Sequence, residues 1–189
     1  MSIGKIFIIT GPSCAGKTSV SERILASRSN TKRAVSITTR HKRDNEINGR
    51  DYFFVSIDEF KKMILEDKFI EFAEVYGNYY GTTKESFNQI NEGFDVIKDI
   101  DVQGALKIKE LNIHATFFFL VPKEEVILFS RMKSERGDYN TRLEAYYNEI
   151  KFKDNFDYYI DTSGNNEENN IEGCANKVKK IIDYIPTIK

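Results

Sequence analysis

Short β-branched and aromatic runs alternate along the chain with segments whose apolar positions recur every three or four residues. Phe7-Ile8-Ile9-Thr10 opens the series as a strand and passes through a Gly-bounded loop into a segment with helical spacing at Val20, Ile24 and Leu25. Ala34 to Thr38, Asp51 to Val55 and Phe69 to Glu74 read as further strands, the last placing Glu71 opposite Ile70 and Phe72. Ser56-x-x-Glu59 is a capping box for a helix that buries Phe60, Met63 and Ile64, and Thr82-x-x-Glu85 suggests a second box for a helix stopping at Gly93. Phe94 to Asp101, the run around Phe117 and Phe156 to Ile160 complete the strands. Helices are predicted from Gln103, from Lys123, after Thr141, and over the buried stripe Ile171, Ala175, Val178 and Ile182.

Strands separated by helices at both ends of a chain imply a mainly parallel sheet covered on both faces. The expected fold is therefore α/β, a three-layer αβα core in one domain spanning residues 1–189. Segments 1–34 and 84–189 form the core, and residues 35–83, dense in turns and short strands, form an inserted mixed or antiparallel lobe.

With 189 residues, the chain buries roughly 70% of its unfolded surface in one core without staples. Its 28 basic and 29 acidic residues are interspersed, so no global basic field points to nucleic acid. Cys14 and Cys174 suit neither a disulfide framework nor a metal-ligand spacing and read as reduced thiols of a cytoplasmic protein. The apolar run ending at Pro122 is too short to cross a bilayer, and the N-terminus enters the first strand without a leader-like segment.

The chemistry starts at Gly11-Pro12-Ser13-Cys14-Ala15-Gly16-Lys17-Thr18, a G-x-x-x-x-G-K-T loop between strand and helix. Backbone N–H groups of Gly11 to Ser19 can form an anion nest at a helix N-terminus. Lys17 would reach the β- and γ-phosphates of a nucleotide, and Thr18 would ligate Mg²⁺. Asp99 and Asp101 end a strand, where either carboxylate suits a metal-bound water. The expected metal set is Thr18 with Asp101. Arg40, Arg43, Tyr52 and Tyr80, clustered around an Asn48-Gly49 turn, are residue types that clamp a second phosphate.

Six ordered runs, from the loop just described through Ser36-x-Thr38-Thr39-Arg40, Asn48-Gly49-x-Asp51-Tyr52, Phe69-Ile70-Glu71, Gly77-Asn78-x-Tyr80-Gly81-Thr82 and Asp99-Ile100-Asp101-x-Gln103-Gly104, resemble the guanylate kinase family over nearly the whole chain. The resemblance implies ATP + GMP ⇌ ADP + GDP, with Mg²⁺ and with GMP or dGMP as acceptor. By it, Arg40, Arg43, Tyr52 and Tyr80 contact the GMP phosphate, Ser36, Glu71, Thr82 and Asp99 contact the guanine, and Gly81 belongs to the GMP-binding set. Glu71 is the natural selector, because one carboxylate accepts from both N1–H and N2–H₂ of guanine. It also implies a lid, here about residues 131–142, whose Arg131, Arg136 and Arg142 join Lys17 and Arg40 on the transferring phosphate.

Three departures stand out. The lid is short, Cys14 replaces a usual glycine, and Lys98 occupies a normally apolar strand position. The resemblance leaves open a related kinase with another phosphorylated acceptor and a non-catalytic binding module. Neither nucleic acid nor membrane is an expected partner, and the chain is read as a monomer or a homodimer.

Overall fold

The computed structural model describes residues 3–75, 77–134 and 138–186. Five parallel strands make the main sheet: β1 (Ile6–Thr10), β2 (Thr31–Arg33), β7 (Asp95–Asp99), β8 (Ala115–Val121) and β9 (Tyr158–Asp161), in the order β2-β7-β1-β8-β9. Every residue of β1 is buried, as a strand covered on both faces requires. The chain runs one way from β1 through α1 (Lys17–Ser27) to β2, and the other way from β7 through α3 (Val102–Glu110) to β8. Right-handed crossovers in opposite directions put these helices on opposite faces, giving the expected three layers. The closing helix α6 (Ile171–Tyr184) packs beside α1 and buries Cys174, Ala175, Val178 and Ile182.

The second sheet is mixed. β3 (Ser36–Thr38) pairs in parallel with β4 (Tyr52–Phe54) and antiparallel with β6 (Asn78–Thr83), and β6 pairs antiparallel with β5 (Phe69–Val75). Its own small core is Ile37, Phe60 and Phe69, with Phe60 stacked on Phe69 at 4.5 Å between ring centroids. Helix α2 (Ile57–Leu65) supplies Phe60 and starts at the predicted box: Ser56 accepts from Glu59 N while the Glu59 carboxylate accepts from Ser56 N.

Two local expectations change. Asn78 to Thr83 is a strand rather than a turn region. Gly81 serves that strand because a Cβ there would come within 2.6 Å of the Phe69 ring. The following helix is a 3₁₀ segment, Lys84–Glu92, and its N-cap is Thr83, whose hydroxyl pairs with Ser86 Oγ at 2.9 Å. Thr82 therefore caps nothing. Its hydroxyl is buried opposite Glu71 in the antiparallel pair.

The predicted lid, about residues 131–142, takes in the end of α4 (Glu125–Ser134) and the start of α5 (Tyr139–Glu149). Asp138 caps α5 by accepting from Asn140 N and Thr141 N. Arg136 lies outside the described residues. Among those described, no helix is long and apolar enough to cross a membrane.

Candidate active site

The G-x-x-x-x-G-K-T loop leaves the C-terminal end of β1, at the point where the strand order reverses. Gly11 is required twice over: its φ is +139°, and a Cβ would sit 2.0 Å from Leu120 O on β8. Gly16, at φ +91°, turns the chain into α1 without any side-chain cap, so the helix N–H groups face the loop. Cys14 also has a positive φ, +64°, which explains why a glycine fits that position better than most residues.

Lys17 Nζ donates to Gly11 O at 2.7 Å and to Pro12 O at 2.9 Å. Desolvation lowers its pKa, against the opposing pull of the Glu149, Asp101 and Asp99 carboxylates. A cleft of about 600 Å³ over the loop is lined by Ser13 to Ser19 and by Arg131 of α4. Arg131 donates to Thr162 O at 2.7 Å, which holds it beside the cleft, and Arg142 Nη1 reaches Cys14 Sγ at 3.2 Å.

The two strand-end acids take separate duties. The Thr18 hydroxyl donates to Asp99 Oδ2 at 3.0 Å, while Asp99 Oδ1 accepts from Arg33 at 2.9 Å. Asp101 is the N-cap of α3 and accepts from Gly104 N at 2.8 Å. Helix capping engages the Asp101 carboxylate, and Asp99 is the acid in contact with Thr18. A hydroxyl and a carboxylate side by side are hard oxygen donors of the kind Mg²⁺ takes, so the residues fit that ion.

A second cavity, about 260 Å³, brings Arg40, Arg43, Tyr52 and Tyr80 together with Ser36, Lys98, Asp99 and Thr18. Tyr52 and Tyr80 meet edge to face at 6.0 Å, and the Arg40 guanidinium lies 5.5 Å from the Tyr52 ring centre. Glu46, which the sequence did not single out, fixes the cluster. It accepts from Arg40 Nη2 at 2.6 Å and from Arg43 N at 2.8 Å. Desolvation pushes its pKa up, but the Arg40 and Arg43 donors outweigh that and hold it below the usual carboxylate range. The only signal for Glu46 was its place in a charge-dense loop. Arg33, equally unforeseen, leads from β2 onto Asp99.

Glu71 is 7% exposed although it belongs to the small lobe. A β-bulge interrupts the pairing of its strand with β6 between Phe69 and Glu71, where the carboxylate is buried. There Oε2 lies 3.3 Å from where a Cβ on Gly104 would stand, at the N-terminus of α3. Burial raises the Glu71 pKa, while the Thr82 hydroxyl and the Lys98 ammonium oppose the rise. Gly81 contributes only backbone here, since the space above its Cα belongs to Phe69 and Phe60.

Glu149, at the end of α5, feels the charge of Lys17 and has its pKa raised to about 7, chiefly by burial. A folded-state value above the unfolded 4.5 means the native protein holds a proton the unfolded chain has lost, so stability falls as pH rises from about 4.5 to 7. Glu149→Gln is therefore expected to be more stable than the parent at pH 8, by up to about 3 kcal/mol. The gap should shrink to less than about 1 kcal/mol at pH 5. Urea denaturation at the two pH values measures it, and an equal gap at both would show that Glu149 is not protonated natively.

A parallel sheet with a G-x-x-x-x-G-K-T loop at its switch point, a hydroxyl-carboxylate pair and a separate arginine-tyrosine cluster are the features of a P-loop phosphotransferase. The guanylate kinase profile matches residues 3–184. The chain is 41% identical over 162 residues to guanylate kinase from Thermotoga maritima, covering 83% of this chain and 78% of that protein. It is 36% identical over 185 residues to the enzyme from Caldanaerobacter subterraneus subsp. tengcongensis, covering 95% and 86%. The crystal structure of guanylate kinase from Anaplasma phagocytophilum superposes with a TM-score of 0.75 at 30% identity, over 97% of this chain and 86% of that one. This chain belongs to the guanylate kinase family, whose members are nucleoside-monophosphate kinases.

Proposed function

We propose that this chain transfers the γ-phosphoryl group of ATP to GMP, giving ADP and GDP, as a Mg²⁺-dependent cytoplasmic enzyme. The observation that carries the reading is the shared cavity. Thr18, at the end of the phosphate loop, lines the same space as Arg40, Arg43, Tyr52 and Tyr80, so donor and acceptor phosphates would meet there.

In this reading the loop from Gly11 to Ser19 cradles the ATP phosphates on backbone N–H groups, and Lys17 leaves its carbonyl partners for the phosphate oxygens. Thr18 and Asp99, the latter directly or through water, would hold the Mg²⁺, which would supply charge neutralisation on the phosphates. Arg40, Arg43, Tyr52 and Tyr80 fix the acceptor phosphate, while Glu71 and Thr82 receive the guanine edge with Ser36 nearby. Arg131 and Arg142, with Arg136 by family resemblance, add positive charge on the donor side. The acceptor phosphate is already ionised at neutral pH, so positioning and charge stabilisation dominate over general-base chemistry.

A coupled ADP-release assay over GMP, dGMP, AMP, CMP and UMP tests the proposal. GMP and dGMP should be turned over at least 10²-fold more efficiently than the rest, because a site that hydrogen-bonds a polar edge strongly rejects bases lacking it. Silence with GMP while another monophosphate is phosphorylated would overturn it.

A further inference from the structure

Lys98 stands one residue before the end of β7, in register with Ile8 of β1, and is 1% exposed. A cation so deeply placed has to be hydrogen-bonded and charge-compensated. Its Nζ donates to Ala34 O at 3.3 Å and to Ser36 Oγ, and both of these partners are uncharged. Among the described residues, no carboxylate forms an ion pair with it. The protein satisfies the hydrogen bonds of this ammonium without putting an anion in contact with it.

Lys98 also lines the cavity that holds the arginine-tyrosine clamp. Two of the other cations on that lining are already matched to carboxylates: Arg33 pairs with Asp99 at 2.9 Å and Arg40 with Glu46 at 2.6 Å. Arg43 lies exposed in its loop, where solvent screens it. Four cations and three carboxylates line the space, so Lys98 is the charge by which the cavity is positive rather than neutral. Its burial matters to the strength of that charge. An anion meeting Lys98 does so away from bulk water, where a single contact between charges is worth more than at the surface. The cavity is thus built to receive a counter-ion at Lys98 from outside the protein.

We propose that Lys98 is a phosphate-binding residue of this cavity, a further side chain of the clamp whose ammonium contacts the acceptor monophosphate. The proposal rests on the acceptor-site reading above and adds to it a charge at a strand position that the family resemblance leaves apolar. The ligand class it favours is a nucleoside carrying a phosphate monoester. The unphosphorylated nucleoside gains nothing from it.

Titration calorimetry of GMP and of guanosine with the parent, Lys98→Met and Lys98→Gln tests this. Lys98→Met should weaken GMP binding by about 10–100-fold, the size expected when a hydrogen bond to a charged group is lost. Guanosine affinity should stay within about twofold of the parent value, since it lacks the group that Lys98 meets. Lys98→Gln keeps an N–H donor for Ser36 and Ala34 but no charge, so it should lose GMP affinity as Lys98→Met does. Replacing a buried cation with an apolar chain of similar volume is commonly neutral or stabilising, so the thermal midpoint of ligand-free Lys98→Met should equal or exceed the parent's. Parental GMP affinity in Lys98→Gln would show that Lys98 is only a structural donor, and equal losses for GMP and guanosine would show that it only supports the lobe; either result overturns the proposal. A parent protein that does not bind GMP would overturn the acceptor-site reading itself, which separates that failure from the others.

Discussion

Lys17→Ala is expected to lower kcat for GMP phosphorylation by about 10²–10³-fold, the loss typical of removing one preorganised donor from a developing anion. The KM for GMP should stay within about twofold, because Lys17 sits in the donor cleft and the acceptor clamp is built from a different sheet. Lys17 is partly desolvated and held by two loop carbonyls. Its removal therefore trades one buried cation for two carbonyls facing solvent, and the thermal midpoint should move little. A variant retaining more than about a tenth of parental kcat would take Lys17 out of the phosphoryl-transfer machinery.

Glu71→Gln should change which base is accepted more than how fast the phosphate moves. A carboxylate offers acceptors on both oxygens, matching the paired donors of guanine, whereas an amide puts an N–H₂ against one of them. The expected loss in kcat/KM for GMP is about 10²-fold, from one broken charged hydrogen bond and one new donor-donor conflict in a buried pocket. AMP, which offers an acceptor at N1, should gain. Steady-state kinetics on GMP and AMP decide it, and an unchanged GMP to AMP preference would remove Glu71 from the base site. Because Glu71 is buried on the bulged strand and faces α3, the isosteric amide should leave the lobe's packing intact.

The phosphate loop was readable in the chain because its information is local: two glycines, a lysine and a threonine at fixed spacing between a strand and a helix. The gathering of Arg40, Arg43, Tyr52 and Tyr80 into one cavity was also legible, since these residue types recur around the Asn48-Gly49 turn and the strands beside it. What the sequence hid were long-range choices. Whether Asp99 or Asp101 meets Thr18 depends on where β7 stops and α3 begins, and a boundary one residue earlier than expected makes Asp101 a cap. β6 escaped the pattern because Gly81 owes its identity to an aromatic ring from β5 rather than to a turn. Lys98 reads in the sequence only as a charge at a normally apolar strand position, and its place on the lining of the clamp cavity comes from the fold. Glu46 and Glu149 carry no periodic signal: Glu46 acts on Arg40 and Arg43 of its own loop, and Glu149 on Lys17 of another element.

The Arg40 to Glu46 ion pair has a consequence for ligand capture. An arginine held on two sides, by a carboxylate and by the His41 carbonyl at 2.7 Å, has already surrendered most of its rotamer freedom when the protein folds. A phosphate arriving at such a guanidinium finds its fork immobile and aimed. The entropic penalty of capture falls on the small nucleotide alone. The same pairing leaves the clamp with little net positive field at long range, so association should depend only weakly on ionic strength.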